Sequence, residues 1–142
     1  MDFISHSLNE TIQLGKMFAR GLKAGSVVLA RGELGAGKTA FAKGLALGLG
    51  IKQIVNSPTF NIMKVYFGKE LKLYHIDAYR LEDPAAVSDI GFDEAIGNKD
   101  GIAFIEWPDF IASYFSDEQL VYSVSIREGK NSERIISIKE GR

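Results

Sequence analysis

The feature that most constrains this chain is the run Gly32-Glu-Leu-Gly-Ala-Gly-Lys-Thr39, set between the apolar stretch Ser-Val-Val-Leu-Ala30 and a segment that resumes helical spacing at Lys38. Gly-x-x-x-x-Gly-Lys-Thr between a buried strand and a helix is the Walker A pattern of phosphate-binding loops, in the context that supports such a match. The chemistry requires these residue types at these places. Glycines let the backbone N–H groups of Glu33, Gly35, Ala36, Gly37, Lys38, Thr39 and Ala40 turn inward around phosphate oxygens, and the following helix N-terminus adds its positive dipole end. The anion is then held by backbone and not by net charge. Lys38 can reach the β- and γ-phosphates, while the Thr39 hydroxyl supplies one ligand to an octahedral Mg²⁺ that keeps several waters.

Composition narrows the function classes around that loop. At 142 residues, the chain fits one domain over residues 1–142 and can bury a core without staples. Seventeen Lys plus Arg against eighteen Asp plus Glu give a formal net charge of -1, which disfavours a protein whose main task is to grip nucleic acid. With no cysteine, disulfides, thiolate metal sites and thiol nucleophiles are excluded. The N-terminal Met-Asp-Phe-Ile-Ser-His has no basic region followed by an apolar one, and no apolar run reaches the ~20 residues of a membrane span. A cytoplasmic location is expected.

Leu8, Ile12, Met17, Phe18 and Leu22 fall near helical spacing, with Ser7 or Asn9 as the cap and Gly25 as the end. A β-branched run to residue 30 predicts a buried strand, and a helix runs from Lys38 through Phe41 and Leu45 to Gly48 and Gly50. Phe60 to Tyr66 and Leu71 to Asp77 predict a hairpin across Phe-Gly-Lys-Glu. Short helical pieces are expected over Pro84 to Ser88 and Asp93 to Ile96. Ile-Ala-Phe-Ile-Glu-Trp-Pro108 reads as a second buried strand stopped by proline, and Val121 to Arg127 with Arg134 to Lys139 as a closing hairpin across Gly129-Lys-Asn. The predicted fold class is α/β: a P-loop NTPase-like three-layer sandwich whose mixed central sheet has antiparallel additions and is flanked by helices.

Two further segments carry candidate chemistry. Ala103-Phe-Ile-Glu106 ends an apolar strand in a carboxylate at its C-terminal end, where ligands bind in open α/β sheets; Glu106 is the expected partner of Thr39 at the metal, though a solvated strand-end Glu reads the same way. Trp107 and Pro108 follow where many ATPases carry a second acid, so a base is sought elsewhere. His75-Ile-Asp77-Ala-Tyr79-Arg80 supplies one, since strand alternation puts His75, Asp77 and Tyr79 on one face. Asp77 can orient a water, or simply pair with Arg80. Ser57-Pro-Thr59 lies where a switch loop would fall, and equally reads as an ordinary proline turn.

Together, Gly32–Thr39, Ser57-Pro-Thr-Phe60, His75-Ile-Asp-Ala-Tyr-Arg80 and Ile105-Glu-Trp-Pro108 resemble the bacterial TsaE family over nearly the whole chain. That resemblance implies a small P-loop ATPase required for the threonylcarbamoyladenosine modification of tRNA. It implies TsaD and TsaB proteins as partners, a transferase pair that ATP hydrolysis resets between rounds, with tRNA met only indirectly. Carried over by motif, Lys38 and the loop amides bind phosphates, Thr39 and Glu106 serve Mg²⁺, and Asp77 is needed for turnover, so the catalytic set is Lys38, Asp77 and Glu106. Thr11 matches a family position near the nucleotide base, and Trp107 one of partner contact or packing at the nucleotide.

Rival chemistries are tested by their own motifs. Asn98-Lys-Asp100-Gly101 puts Gly where a guanine-pairing Asp belongs, and Asp89-Ile-Gly91 is one residue short of the GTPase metal motif, so ATP is expected over GTP. A small-molecule kinase needs an Arg-rich lid, whereas the arginines after the loop are Arg80, Arg127, Arg134 and Arg142, dispersed along the chain. A switch in which ATP occupancy alone gates a partner remains a second alternative.

Overall fold

The computed structural model describes residues 1–33, 37–56, 63–78, 99–107 and 120–141. The helical pieces expected over Pro84 to Ser88 and Asp93 to Ile96, and the Ser57-Pro-Thr59 turn, lie outside the described residues.

A seven-stranded sheet, ordered β1-β7-β6-β2-β5-β4-β3, organises the fold. Its centre is β2 (Val27–Arg31), flanked by β5 (Gly101–Glu106) on one side and β6 (Val121–Glu128) on the other, with β4 (Lys72–Asp77) beyond β5. These four strands run parallel. The edges are antiparallel: β3 (Met63–Phe67) pairs with β4, β7 (Arg134–Glu140) with β6, and β1 (Asp2–Ser5) with β7. The α/β class with a mixed sheet and antiparallel additions is therefore as expected from the sequence. β1 was not expected; its four residues carry too little alternation to announce a strand, and pairing with β7 makes it one.

Both faces of the central strands are buried, which is why β2 and β5 read as continuous apolar runs. On one face Val28, Ala30, Phe104, Val124 and Ile126 meet the helices α1 (Leu8–Arg20) and α2 (Lys38–Gly48); on the other lie Val27, Leu29, Ile76, Ala103 and Ile105. A run of ring contacts crosses the first face, Phe18 to Phe41 at 5.8 Å, Phe41 to Phe104 at 6.3 Å and Phe104 to His75 at 5.4 Å. Burying Phe41 and Phe104 completely contributes roughly 1.5–3 kcal/mol each.

Helix α1 corrects the sequence reading twice. It ends at Arg20 with Gly21 as its cap, not at Gly25. Its buried stripe is Thr11, Gly15 and Ala19, while Leu8 and Met17 are exposed. The reason is the close crossing with α2: a Cβ added at Gly15 would fall on the Phe41 carbonyl, and one at Gly44 on the Ile12 carbonyl. Small residues are needed at that seam, so the largest apolar side chains cannot mark it. At its start, Ser7 accepts from the Glu10 amide, as expected, and the Glu10 carboxylate accepts from the His6 amide at 2.6 Å. This is a capping box displaced by one residue at its acidic arm.

Candidate functional site

The three parallel strand ends β2, β5 and β4 converge beside the start of α2. Ala30 is in register with Glu106, and Glu106 with Asp77, so the two carboxylates lie on adjacent strands at the C-terminal edge of the sheet. The loop between β2 and α2 is described at Gly32, Glu33 and Gly37; Gly35 and Ala36, expected to donate amides, lie outside the described residues. Gly37 caps α2 at φ +115°, a conformation that a side chain would strain. It offers no capping side chain, and no acid occupies the first turn. The amides of Lys38, Thr39 and Ala40 thus open a helix whose positive dipole end is not neutralised by its own sequence.

Lys38 is buried, at 4% exposure. Its Nζ donates to the Gly32 carbonyl and lies 3.7 Å from the centroid of the Trp107 ring. Burial pushes its pKa below the ordinary lysine value, against the pull of the Glu106 and Asp77 charges, which raise it. The carbonyl dipole and the aromatic face are the groups in closest contact with the ammonium, and a contact of the latter kind is worth about 0.5–2 kcal/mol. Trp107 reaches under it because its backbone turns left-handed, φ 57°, immediately after Glu106, while its amide still donates to Ala30. That conformation costs a non-glycine residue roughly 1–2 kcal/mol. The turn brings the Trp107 ring against the Lys38 ammonium.

Glu106 is not a solvated strand end. It is 5% exposed, and its Oε2 lies 2.7 Å from Nε2 of the fully buried His75. His75 is the register partner of Phe104, so it meets Glu106 diagonally across the two strands. Sequence reading placed His75 on the face of Asp77 but could not pair it with Glu106, since the contact depends on the parallel register of strands far apart in the chain. Asp77 is partly exposed at the end of β4; Tyr79 and Arg80 lie outside the described residues. Thr39 sits in the first turn of α2, half-buried. Thr11 also comes to this site, since a Cβ on Gly37 would stand 3.9 Å from its Cγ2. Its hydroxyl is 2.7 Å from that of Ser5, so it meets the loop through its methyl group.

The sequence model of the TsaE family, described as threonylcarbamoyl adenosine biosynthesis protein TsaE, matches residues 5–136. The chain belongs to the TsaE family. It is 41% identical over 133 residues to the tRNA threonylcarbamoyladenosine biosynthesis protein TsaE of Treponema pallidum, covering 94% of this chain and 97% of that one. The Bacillus subtilis protein of the same name is 43% identical over 128 residues, 90% of this chain and 78% of its own. Among solved structures, the crystal structure of Bacillus subtilis YdiB superposes with a TM-score of 0.81 at 34% identity, covering 97% of this chain and 83% of that one. The family match thus runs well beyond the four motifs, from the last residue of β1 into β7. No described helix is long and apolar enough to cross a membrane.

Proposed function

We propose that this chain is a Mg²⁺-dependent ATP-binding and ATP-hydrolysing protein that serves the threonylcarbamoyladenosine modification of tRNA, acting in the cytoplasm with the TsaD and TsaB proteins. The observation that carries the reading is the buried Lys38 ammonium at the unneutralised start of α2, facing carboxylates on two neighbouring strand ends. A desolvated cation beside converging backbone donors suits a polyphosphate, which supplies the counter-charge that a carbonyl and a ring face do not.

The residues also fit a hard cation. The Thr39 hydroxyl in the first turn of α2 and the Glu106 carboxylate at the end of β5 are oxygen donors, and together with phosphate oxygens and water they would make an all-oxygen ligand set of the kind that suits Mg²⁺. When bound, Mg²⁺ would neutralise charge on the phosphate oxygens. For their part, Lys38 and the amides of Glu33, Gly35, Ala36, Gly37, Thr39 and Ala40 bind the phosphates. Asp77 orients the attacking water at the end of β4. A cavity of about 490 Å³ lined by Arg31, Gly32, Glu33, Ser125, Ile126, Arg127 and Glu128 adjoins the loop and has room for the nucleoside.

Trp107, in place of a second acid after Glu106, leaves the isolated protein with slow turnover, and the partner pair raises it. Calorimetric titration with ATP and Mg²⁺ tests the binding reading: saturable binding by the wild type that Lys38→Ala abolishes is expected, and equal affinity in the two would overturn it.

A further inference from the structure

His75 is completely buried, its ring edge packs on Phe104, Nε2 contacts Glu106, and Nδ1 is buried without a hydrogen-bond partner. An apolar side chain would fill this strand position without an orphaned nitrogen, so what the imidazole gains there is the Nε2 contact. We propose that His75 is a positioning residue: by holding Oε2 of Glu106, it presets the carboxylate so that Oε1 is the oxygen offered to the Mg²⁺ shell. This inference rests on the ATP and Mg²⁺ reading above.

Three observations carry it. First, with Nδ1 unpartnered, the proton belongs on Nε2, where an acceptor stands at 2.7 Å, and the lone pair is left at Nδ1; an unmet acceptor is tolerated more readily in protein interiors than an unmet N–H. With Nε2 as the donor, Oε2 of Glu106 is the acceptor. Second, Lys38 attracts Glu106 through space, yet the close partners of Lys38 are the Gly32 carbonyl and the Trp107 ring, and that of Glu106 is His75. The two opposite charges are each tethered to a different group and not to one another, which keeps both available to a ligand. Third, His75 is itself rigid, fixed in β4 with its ring wedged against Phe104. A glutamate has three side-chain torsions, and one that is fixed before the metal arrives pays less ordering entropy on binding.

The test is Mg²⁺ titration of ATP binding, followed through Trp107, the single tryptophan, in wild type, His75→Leu, His75→Asn and His75→Gln. Leucine removes the donor, and asparagine keeps polarity but cannot reach Glu106. Glutamine can extend an amide N–H to the place of Nε2. The Mg²⁺ concentration at half-saturation is expected to rise about 10–100-fold in the Leu and Asn variants and to return to within about threefold of wild type in the Gln variant. ATP binding in EDTA is expected to change much less than the Mg²⁺ requirement. Should His75→Leu fail to fold, the Asn and Gln pair gives the same comparison. Wild-type Mg²⁺ dependence in the Leu or Asn variants, or equal loss with and without metal, would overturn the role of His75 while leaving ATP binding in place. Absence of any ATP binding by wild type would instead remove the reading beneath it, and this inference with it.

Discussion

Gly44 to Ala is the substitution that most sharply tests how α1 is held over the site. A Cβ at Gly44 would fall on the Ile12 carbonyl and lie 2.9 Å from both Gly15 Cα and the Lys16 amide, all of them backbone atoms of α1 that no rotamer change can move. The helices must part, at an overpacking cost toward the upper end of roughly 1–3 kcal/mol or beyond it, while alanine returns about 1 kcal/mol of helix propensity. A net loss of about 2 kcal/mol is expected, which at a urea slope of roughly 1–3 kcal/mol/M lowers the unfolding midpoint by about 1 M. Gly21→Ala is the control: Gly21 sits at φ -92°, and its added Cβ would meet only the Phe18 carbonyl at 3.7 Å. Its midpoint should move by no more than about 0.5 kcal/mol equivalent. A midpoint for Gly44→Ala equal to or above wild type would refute the close crossing, and an equal loss in both variants would refute its location.

Trp107 should report ligand entry directly, because phosphate reaches Lys38 at an ammonium 3.7 Å from the centroid of the indole ring; intrinsic emission unchanged by saturating ATP and Mg²⁺ would contradict nucleotide entry beside that ring. Substituting Trp107→Phe, which keeps an aromatic face, should weaken nucleotide binding less than Trp107→Ala, and equal effects in a binding titration would remove the cation contact from the account. The Glu10 carboxyl is held below its ordinary pKa, chiefly by the His6 amide and then by the His6 ring. A group with a depressed folded pKa contributes stability that is present above the unfolded value and is lost as pH falls through the folded one. The stability advantage of wild type over Glu10→Gln should therefore be full at pH 7 and vanish in acid, as denaturation at a series of pH values would measure; a pH-independent difference would contradict the cap.

What was legible in the sequence was local. The strand, loop and helix around Gly32–Thr39 and the hairpins β3–β4 and β6–β7 announce themselves through turn residues and apolar runs within short windows. Glu106 could be placed at a strand end by the same means. Other features required partners remote in the chain. The Gly15–Gly44 seam inverts the usual signal, because close helix packing selects the absence of side chains, and Leu8 and Met17 misdirect a reading based on hydrophobicity alone. The His75–Glu106 contact depends on β4 and β5 running parallel in one particular register. Resemblance put Trp107 at a partner or at the nucleotide, but its place beside Lys38 follows from a left-handed backbone that the sequence does not announce.

The most direct test of the central claim is Mg²⁺-dependent ATP hydrolysis by this protein alone and with purified TsaD and TsaB, with Lys38→Ala and Glu106→Ala as controls. The account predicts a slow rate for the isolated chain, a strong rise with the partner pair, and loss of the rise in both variants. A fast rate without partners, or stimulated turnover that survives Lys38→Ala, would contradict it.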